Sequence, residues 1–376
     1  MRKHHLVATV ALAVLGLVAP VAHAAGDAPS RPATGKTARK PVKKSVRNAA
    51  RKPAAPQPRS AAGKTESKLA AQPARKPVAK GRSVQLPSQT ITAAQLRSDV
   101  RARLTRSGDY RFALQHDGRT RTYRVHVPPG LDFHEPAPLL VALHGGSVGQ
   151  QANAGLYGLA RESDRQRFVT VFPDAYRAPG SRGWNAADGG STSTDDVGFI
   201  EKVVDNVFRQ LSISRLEIYA AGMADGGSMA YRLACERPHL FRAVASVGGA
   251  DRTTQCAPDT PVSVLHFQAK NDAPTVVASL AGAGGGSGAD RGTQAAAETA
   301  AKWARLNGCM EAPQRILDMS GAYCEAYSYC RQQTEVRLCV TEGAGPAWPG
   351  APKPGTRPAS HAISATSTMW GFFSSR

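Results

Sequence analysis

Two turns in the sequence place glycines where chemistry at a sharp backbone corner would need them. Residues 143–146 (LHGG) follow a continuous apolar run, and residues 222–226 (GMADG) lie between a strand pattern and a helix pattern. A glycine at each end of a five-residue strand-to-helix turn is typical of a nucleophile elbow, whose central residue is strained and exposed. That central residue is Ala224, and its methyl group cannot act as a nucleophile.

A regular alternation of strand and helix patterns surrounds these two turns. Alternating residues on both sides of Asp117-Gly118 indicate a β-hairpin. Apolar runs predict strands at residues 139–143, 168–172, 216–220, 243–247, 262–267 and 336–340. Helical spacing of apolar residues predicts helices at residues 92–104, 197–211, 227–235, 294–306 and 366–373, and the Gly-rich stretch 281–289 predicts a flexible loop. The fold class is therefore α/β, with a mostly parallel central sheet and helices on both faces.

The positive charge of the chain is concentrated near its start. The chain has 376 residues and a formal net charge of +20. Residues 31–82 contain 16 basic residues and one acidic residue, Glu66, which gives +15. We expect residues 25–90, rich in Ala, Pro, Lys and Arg, to be a disordered tail, because they cannot bury enough apolar surface to order themselves. The predicted globular domain covers residues 91–376.

Two interpretations of the basic tail remain open. It is either a solvated, self-repelling spacer or a segment that binds an anionic envelope polymer or lipid surface. Charge alone would also permit nucleic acid, but the predicted export argues against a specific nucleic-acid partner.

The first 24 residues read as an export signal. A basic start at residues 2–5 precedes an apolar run at 6–18 and an Ala-x-Ala pattern at 22–24. The location would then be periplasmic or extracellular, where six cysteines would pair. Fifteen connectivities are open. No tight Cys-x-x-Cys spacing, metal-ligand pattern or phosphate loop is present in the sequence, so we predict no metal and no cofactor. The cysteines are Cys235, Cys256, Cys309, Cys324, Cys330 and Cys339.

Several segments together resemble the secreted α/β-hydrolases of the polyhydroxybutyrate depolymerase and feruloyl esterase group. The resemblance covers the chain from about Tyr110 to Phe373. It rests on residues 138–146, 172–175, 184–185, 195–200, 219–236, 264–266, 307–309 and 348–350, whose order and spacing are specific as a set.

The resemblance implies a serine, aspartate and histidine triad, and this chain departs from it. The acid position matches Asp272. The nucleophile position is Ala224, and the histidine position is Pro346 in residues 343–350 (GAGPAWPG). Serine needs histidine to take its proton, so the loss of both removes the chemistry of ester attack. The backbone donors of the oxyanion hole, near Gly146 and Asp225, are expected to remain.

Other residues are candidates to replace the missing nucleophile or base, or to contact a ligand. Asp225 is one position past the elbow centre, so its side chain is expected to point elsewhere and to stabilise the helix N-terminus. Ser147, Ser228 and His361 are weak substitutes for the missing nucleophile or base. His266 is expected to be a satisfied core histidine, His144 to support the oxyanion loop, and the adjacent Asp195 and Asp196 to cap a helix. Trp184, Asn185 and Trp348 are candidate binding residues, with core packing as the alternative for both tryptophans.

Three functions remain open at this point. The first is an exported hydrolase-fold protein that is catalytically inactive and retains binding of an ester, hydroxycinnamate or polyester. The second is a working carboxylic-ester hydrolase with a non-standard nucleophile or base. The third is an envelope-localised interaction protein that acts through its cationic tail.

Overall fold

A computed structural model describes residues 88–90, 103–146, 157–176, 183–187, 194–272, 288–343, 347–351 and 360–376. Within these residues the chain forms eleven strands, five α-helices and one 3-10 helix at Arg331–Gln333. The strands are β1 Ser88–Thr90, β2 Gly108–His116, β3 Arg119–Val127, β4 Ala137–Leu143, β5 Val169–Pro173, β6 Ile213–Met223, β7 Ala243–Val247, β8 Ser263–Ala269, β9 Gln314–Met319, β10 Ala322–Tyr327 and β11 Val336–Thr341. The helices are α1 Leu159–Gln166, α2 Asp196–Gln210, α3 Asp225–Glu236, α4 Gly288–Leu306 and α5 Ala365–Phe373.

All eleven strands belong to one mixed sheet with a parallel centre. The order is β1-β2-β3-β5-β4-β6-β7-β8-β11-β10-β9. The six strands from β5 to β11 in this order pair in parallel. The β2–β3 hairpin and the β9–β10 pair extend the sheet on each side in antiparallel pairing. Because parallel strands end at the same edge, the turns after β4, β6, β7, β8 and β11 meet along one edge of the sheet.

Helices cover both faces, and each face has its own apolar core. On β4, Leu139 and Val141 belong to the core that includes buried residues of α2, α3 and α4. Their neighbours Leu140 and Ala142 belong to the second core, which includes α5. Consecutive side chains of a strand point to opposite faces, so a strand buried on both sides reads as a continuous apolar run. The predicted α/β class is confirmed.

The predicted elements are found with shifted ends, and a few were missed. The hairpin turns at Asp117 and Gly118, both with positive φ, as an Asp-Gly hairpin requires. The Gly-rich loop prediction extends too far, because α4 begins at Gly288. Strand β1 lies inside the range predicted as tail. Most of the helix predicted at 92–104 lies outside the described residues, as do residues 1–87.

Three disulfides join all six cysteines of the chain. The pairs are Cys235–Cys256, Cys309–Cys330 and Cys324–Cys339. Cys324 and Cys339 are direct partners across β10 and β11. The structure thus selects one of the fifteen connectivities that the sequence left open.

The described residues contain neither a membrane-spanning helix nor a metal-binding cluster of side chains. No helix among them is long and apolar enough to cross a membrane. No group of three or more His, Cys, Asp or Glu side chains in this part of the chain is arranged to hold a metal ion.

Candidate functional site

Ala224 forms the corner between β6 and α3. Its backbone has φ 50° and ψ −118°, a conformation that costs a residue with a side chain roughly 1–3 kcal/mol. Two hydrogen bonds hold it there. The Ala224 N–H donates to the carbonyl oxygen of Val247 at 2.9 Å, and its own carbonyl oxygen accepts the Ser228 N–H at 2.9 Å. The strained backbone of a nucleophile elbow is therefore present without a nucleophile.

The glycines on either side of Ala224 are needed for close packing. A Cβ on Gly222 would lie 2.4 Å from the backbone of Gly226. A Cβ on Gly226 would lie 2.5 Å from the carbonyl oxygens of Leu143 and His144. These contacts are shorter than van der Waals packing allows, so the elbow can exist only with glycine at both places. The sharp turn therefore leaves no room for a side chain at either glycine.

The Asp225 carboxylate turns back over the corner, toward the loop after β4. Its Oδ2 accepts the backbone N–H of Trp184 at 3.1 Å. Hydrogen bonding to the N–H groups of Gly146 and of Asp225 itself also acts to lower the pKa of this carboxyl group. Gly146 and Asp225 are the residues expected to form an oxyanion hole. The Asp225 side chain lies at the N-terminus of α3, as expected, and it contacts the segment that carries Trp184. We call the three N–H groups of Gly146, Trp184 and Asp225 the cradle.

Gly183 makes room for this carboxylate. A Cβ on Gly183 would lie 1.7 Å from Asp225 Oδ2 and 3.3 Å from the Cα of Gly146. Gly183 also has φ 145°, which disfavours any other residue. Burial raises the pKa of Asp225, while the N–H donors of Trp184 and Gly146 and the nearby His144 oppose that rise without cancelling it. The site therefore holds a carboxyl group whose ionised form is partly desolvated.

His144 supports the loop that supplies Gly146. It is 1% exposed. Its Nε2 accepts the Ala175 N–H at 3.0 Å, so Nδ1 carries the proton and donates to the Gly145 carbonyl oxygen at 2.9 Å. Its carbonyl oxygen accepts the indole N–H of Trp184 at 2.9 Å. These bonds tie together three segments of the site, in agreement with the supporting role expected from the sequence.

Asp272 lies at the opposite end of the site, after β8. It is buried, with Oδ2 3.2 Å from where a Cβ on Gly248 would be. A narrow cavity of about 10 Å³ is lined by Asp272 together with Ala347 and Pro349. Ala347 and Pro349, which follow position 346 in the sequence, therefore lie beside Asp272. Pro346 itself and Ser147 lie outside the described residues.

The three candidate binding residues are held by the protein's own groups. Trp184 and Trp348 are 6% and 3% exposed. The Trp348 ring stacks on Tyr157 at 4.3 Å between centroids, and its N–H donates to Thr366 Oγ1 at 2.9 Å. Asn185 donates from its backbone N–H to Asp196 and from Nδ2 to the Thr194 carbonyl oxygen. The tryptophans thus take the core-packing alternative in this structure, and ligand contact by any of the three remains a prediction.

Comparisons with known proteins agree with this architecture. A family model described as Esterase PHB depolymerase matches residues 121–278, from β3 past Asp272. Feruloyl esterase B of Piromyces equi is 27% identical over 230 residues, which cover 59% of this chain and 41% of that protein. Feruloyl esterase D of Neurospora crassa is 27% identical over 240 residues, which cover 60% of this chain and 74% of that protein. The chain is similar to esterases of the α/β-hydrolase group.

A solved structure supports the fold of this α/β-hydrolase. The acetyl xylan esterase from Aspergillus awamori superposes with a TM-score of 0.51 and 13% identity, over 70% of this chain and 98% of that one. At this identity the likeness concerns the fold alone. The chain spans less than half the length of the Piromyces relative.

Ser228 and His361, two of the weak substitutes, and His266 lie within the described residues. Ser228 is fully buried, and its Oγ lies 3.4 Å from the Ala224 carbonyl oxygen within the same helix. His361 is exposed before α5. His266 is 3% exposed between Tyr231 and Gln268, and burial lowers its pKa to about 4. The prediction of a satisfied core histidine is confirmed.

The paired carboxylates at the start of α2 are structural. Asp195 caps the helix by accepting the Gly198 N–H at 2.8 Å and also contacts His116 Nε2 at 3.0 Å. Asp196 is 1% exposed and pairs with the buried Arg121 at 2.8 Å. The capping prediction is confirmed for Asp195, while Asp196 anchors the hairpin to the helix.

Two residues near the site were missed by the sequence analysis. Tyr157 is buried, and burial together with the negative charge of Asp225 raises its pKa to about 12. Gly183 was passed over because it stands in no recognisable motif. The sequence signal for both was weak, since each lies in a connection between elements and becomes informative only when Asp225 is placed beside it.

Proposed function

We propose that this chain is an exported α/β-hydrolase-fold protein that does not hydrolyse esters and binds an ester, hydroxycinnamate or polyester group in the old substrate cleft. The observation that carries the proposal is Ala224, a methyl group at the strained corner where attack on an acyl carbon would begin. Position 346 holds proline, which cannot accept the proton that a serine at position 224 would have to lose. Loss of triad members lowers turnover by about 10⁴–10⁶.

A hydrolysis assay tests the loss of activity. The full chain is incubated with p-nitrophenyl acetate and, separately, with a fluorophosphonate that labels activated serines. We expect no turnover above the buffer rate and no labelling. Ala224→Ser is the matched variant and is expected to stay nearly inactive because no histidine base accompanies the new hydroxyl. Robust turnover by the unmodified chain would refute the proposal.

Ligand retention is tested separately by thermal stability. A ligand that binds only the folded state raises the melting temperature with its concentration. We expect at least one ester from a panel of hydroxyacyl and hydroxycinnamate methyl esters to stabilise the chain. The names of the two feruloyl esterase relatives support the inclusion of hydroxycinnamates. If no ester raises the melting temperature at millimolar concentration, the ligand-binding part of the proposal is refuted.

The tail is proposed to hold the protein at an anionic envelope surface. Its charge of +15 over residues 31–82 supports this. The full chain and a variant that lacks residues 25–87, which keeps β1, are compared for co-sedimentation with phosphatidylglycerol vesicles across a salt series. Binding by the full chain alone, falling as salt rises, is expected for electrostatic attraction. Equal binding by both forms would contradict it. The three disulfides and the predicted signal at residues 1–24 support the export part of the proposal.

A working hydrolase with another nucleophile is the second candidate. The observation that favours it is a carboxylate, Asp225, within the site. Against it, the Trp184 N–H donates to that carboxylate and hydrogen bonding from Gly146 acts to lower its pKa, which lowers its reactivity. The same ester assay decides between the two, because the Asp225→Asn variant would abolish any turnover that depends on this group.

A further inference from the structure

We propose that the Asp225 carboxylate is the resident ligand of the cradle, and that it makes the cleft reject groups that bind as oxyanions. The inference rests on the proposed function, since it states what the retained cleft accepts. It assigns Asp225 a role in specificity, as an occupant of the place where a substrate oxygen would develop negative charge.

The geometry places the carboxylate where the anion of an acyl-transfer reaction would lie. An oxyanion hole is formed by the N–H after the nucleophile and an N–H from the loop after a neighbouring strand. Here these are the N–H groups of Asp225 and Gly146, and hydrogen bonding from both acts to lower the pKa of the Asp225 carboxyl group. A third donor, the N–H of Trp184, lies 3.1 Å from Oδ2. The donors that would stabilise a transition state are therefore already engaged.

The surroundings are shaped for this occupant. Gly183 has no side chain, and any Cβ there would overlap Oδ2 at 1.7 Å. The loop that presents Gly146 is fixed through buried His144. The carboxylate also lies at the N-terminus of α3, where negative charge is favoured. Position, donors and space thus agree on an anion at this point, and the chain supplies it from its own next residue.

The occupancy has a consequence for ligands. A carboxylate has about four lone-pair positions, and the N–H groups of the cradle face part of them. What remains directed at the cleft is an acceptor with negative charge. A group that needs donors, such as a phosphonate, a carboxylate or an ester carbonyl under attack, meets repulsion there. The polarity of the site is the reverse of that of an active esterase.

Chemical rescue with acetate tests the occupancy. Asp225→Ala empties the cradle, and free acetate should then occupy it. The melting temperatures of the unmodified chain and of Asp225→Ala are measured at pH 7 from 0 to 200 mM acetate, with chloride to keep the ionic strength constant. We expect a rise of at least about 2 °C for Asp225→Ala and none for the unmodified chain.

Asp195→Ala is the matched control. Asp195 also accepts a backbone N–H at a helix start, but its side chain is 55% exposed and lies outside the cradle. Acetate should not stabilise this variant. A response of Asp225→Ala no larger than that of the unmodified chain or of Asp195→Ala would overturn the proposal.

A measurement on the unmodified chain keeps the test valid if Asp225→Ala fails to fold. The backbone amides of Gly146 and Trp184 should exchange slowly with solvent, and their amide proton shifts should move together, with one midpoint, as Asp225 is protonated. Fast exchange at either amide, or two separate midpoints, would overturn the proposal. Failure here and failure of the proposed function are distinguishable, since ester turnover by the unmodified chain bears on the latter and these amide and acetate measurements bear on the former.

Discussion

The corner at Ala224 and the acid end at Asp272 differ in what the structure holds fixed. At the corner a strained backbone, with φ 50°, carries only a methyl group. At the acid end a buried carboxylate, Asp272, lies beside Ala347 and Pro349. The comparison teaches that close glycine packing can fix a backbone shape, because a change of shape at the corner would disturb the sheet.

The largest expected effect tests whether packing maintains the corner. Gly222→Ala should destabilise the fold by more than about 4 kcal/mol or prevent folding, because its Cβ would lie 2.4 Å from the Gly226 backbone. Gly118→Ala is the control, since nothing lies within 4 Å of an added Cβ there, and its positive φ alone should cost about 1 kcal/mol. Urea unfolding measures both. Similar losses would show that close packing at Gly222 does not maintain the corner.

The next prediction concerns recovery of chemistry at the corner. In an Ala224→Ser and Pro346→His background, Asp225→Ala should raise p-nitrophenyl acetate hydrolysis by about 100-fold, because the oxyanion donors become available. Asp225→Asn should give much less, since its amide oxygen still fills the cradle. If Asn and Ala gave the same increase, charge and not occupancy would be the obstacle.

Strain at Ala224 predicts a smaller effect in the opposite direction. Ala224→Gly should stabilise the fold by about 1 kcal/mol, because glycine adopts this backbone without steric cost. The same substitution at Ala297, which is exposed within α4, should destabilise by about 1 kcal/mol. Paired urea titrations compare the two. A loss of stability at both positions would indicate that the corner is not strained.

The smallest effect concerns a region outside the site, where His126 joins β3 to β2 and α1. Its Nδ1 is 3.1 Å from Asp109 and its Nε2 is 2.8 Å from Asp164. Burial lowers the pKa of His126, but the hydrogen bonds to Asp109 and Asp164 outweigh burial and raise it overall. The stabilisation is therefore complete below pH 6.5 and is lost as pH rises through the raised pKa.

The test compares pH profiles of stability. His126→Asn should lose the decline in stability above pH 6.5, whereas the control His361→Asn, at an exposed position, should keep it. The free energy of unfolding is measured by urea at half-unit steps from pH 5.5 to 8.5. An unchanged decline in His126→Asn would assign the pH dependence to other groups.

The fold was largely predictable because its central strands are buried on both faces. A continuous apolar run such as residues 139–143 predicts a buried strand, and the Asp-Gly pair predicts a hairpin turn. The β9–β10 hairpin was missed because β9 lies at the sheet edge, where exposed residues such as Arg315 give no apolar period. Helix α1 was missed because its sequence, LARESDRQ, is mostly polar.

The site was predictable in its backbone and less so in its side chains. The elbow and its glycines follow from spacing, and Ala224 follows from identity. The direction of the Asp225 side chain did not follow, because it depends on Gly183, which is 42 positions earlier in the sequence and beside it only in the fold. Contacts of this kind carry no local pattern.

The three disulfides divide the sheet into two mechanically different halves. Every crosslink lies between positions 235 and 339, so strands β1 to β6 rely on packing and hydrogen bonds alone. Two of the three crosslinks involve β10, β11 or the turns beside them, next to β8, and the third joins the end of α3 to Cys256. A reductant should therefore act unevenly, loosening the side of the sheet that contains β10 and β11 more than strands β1 to β6.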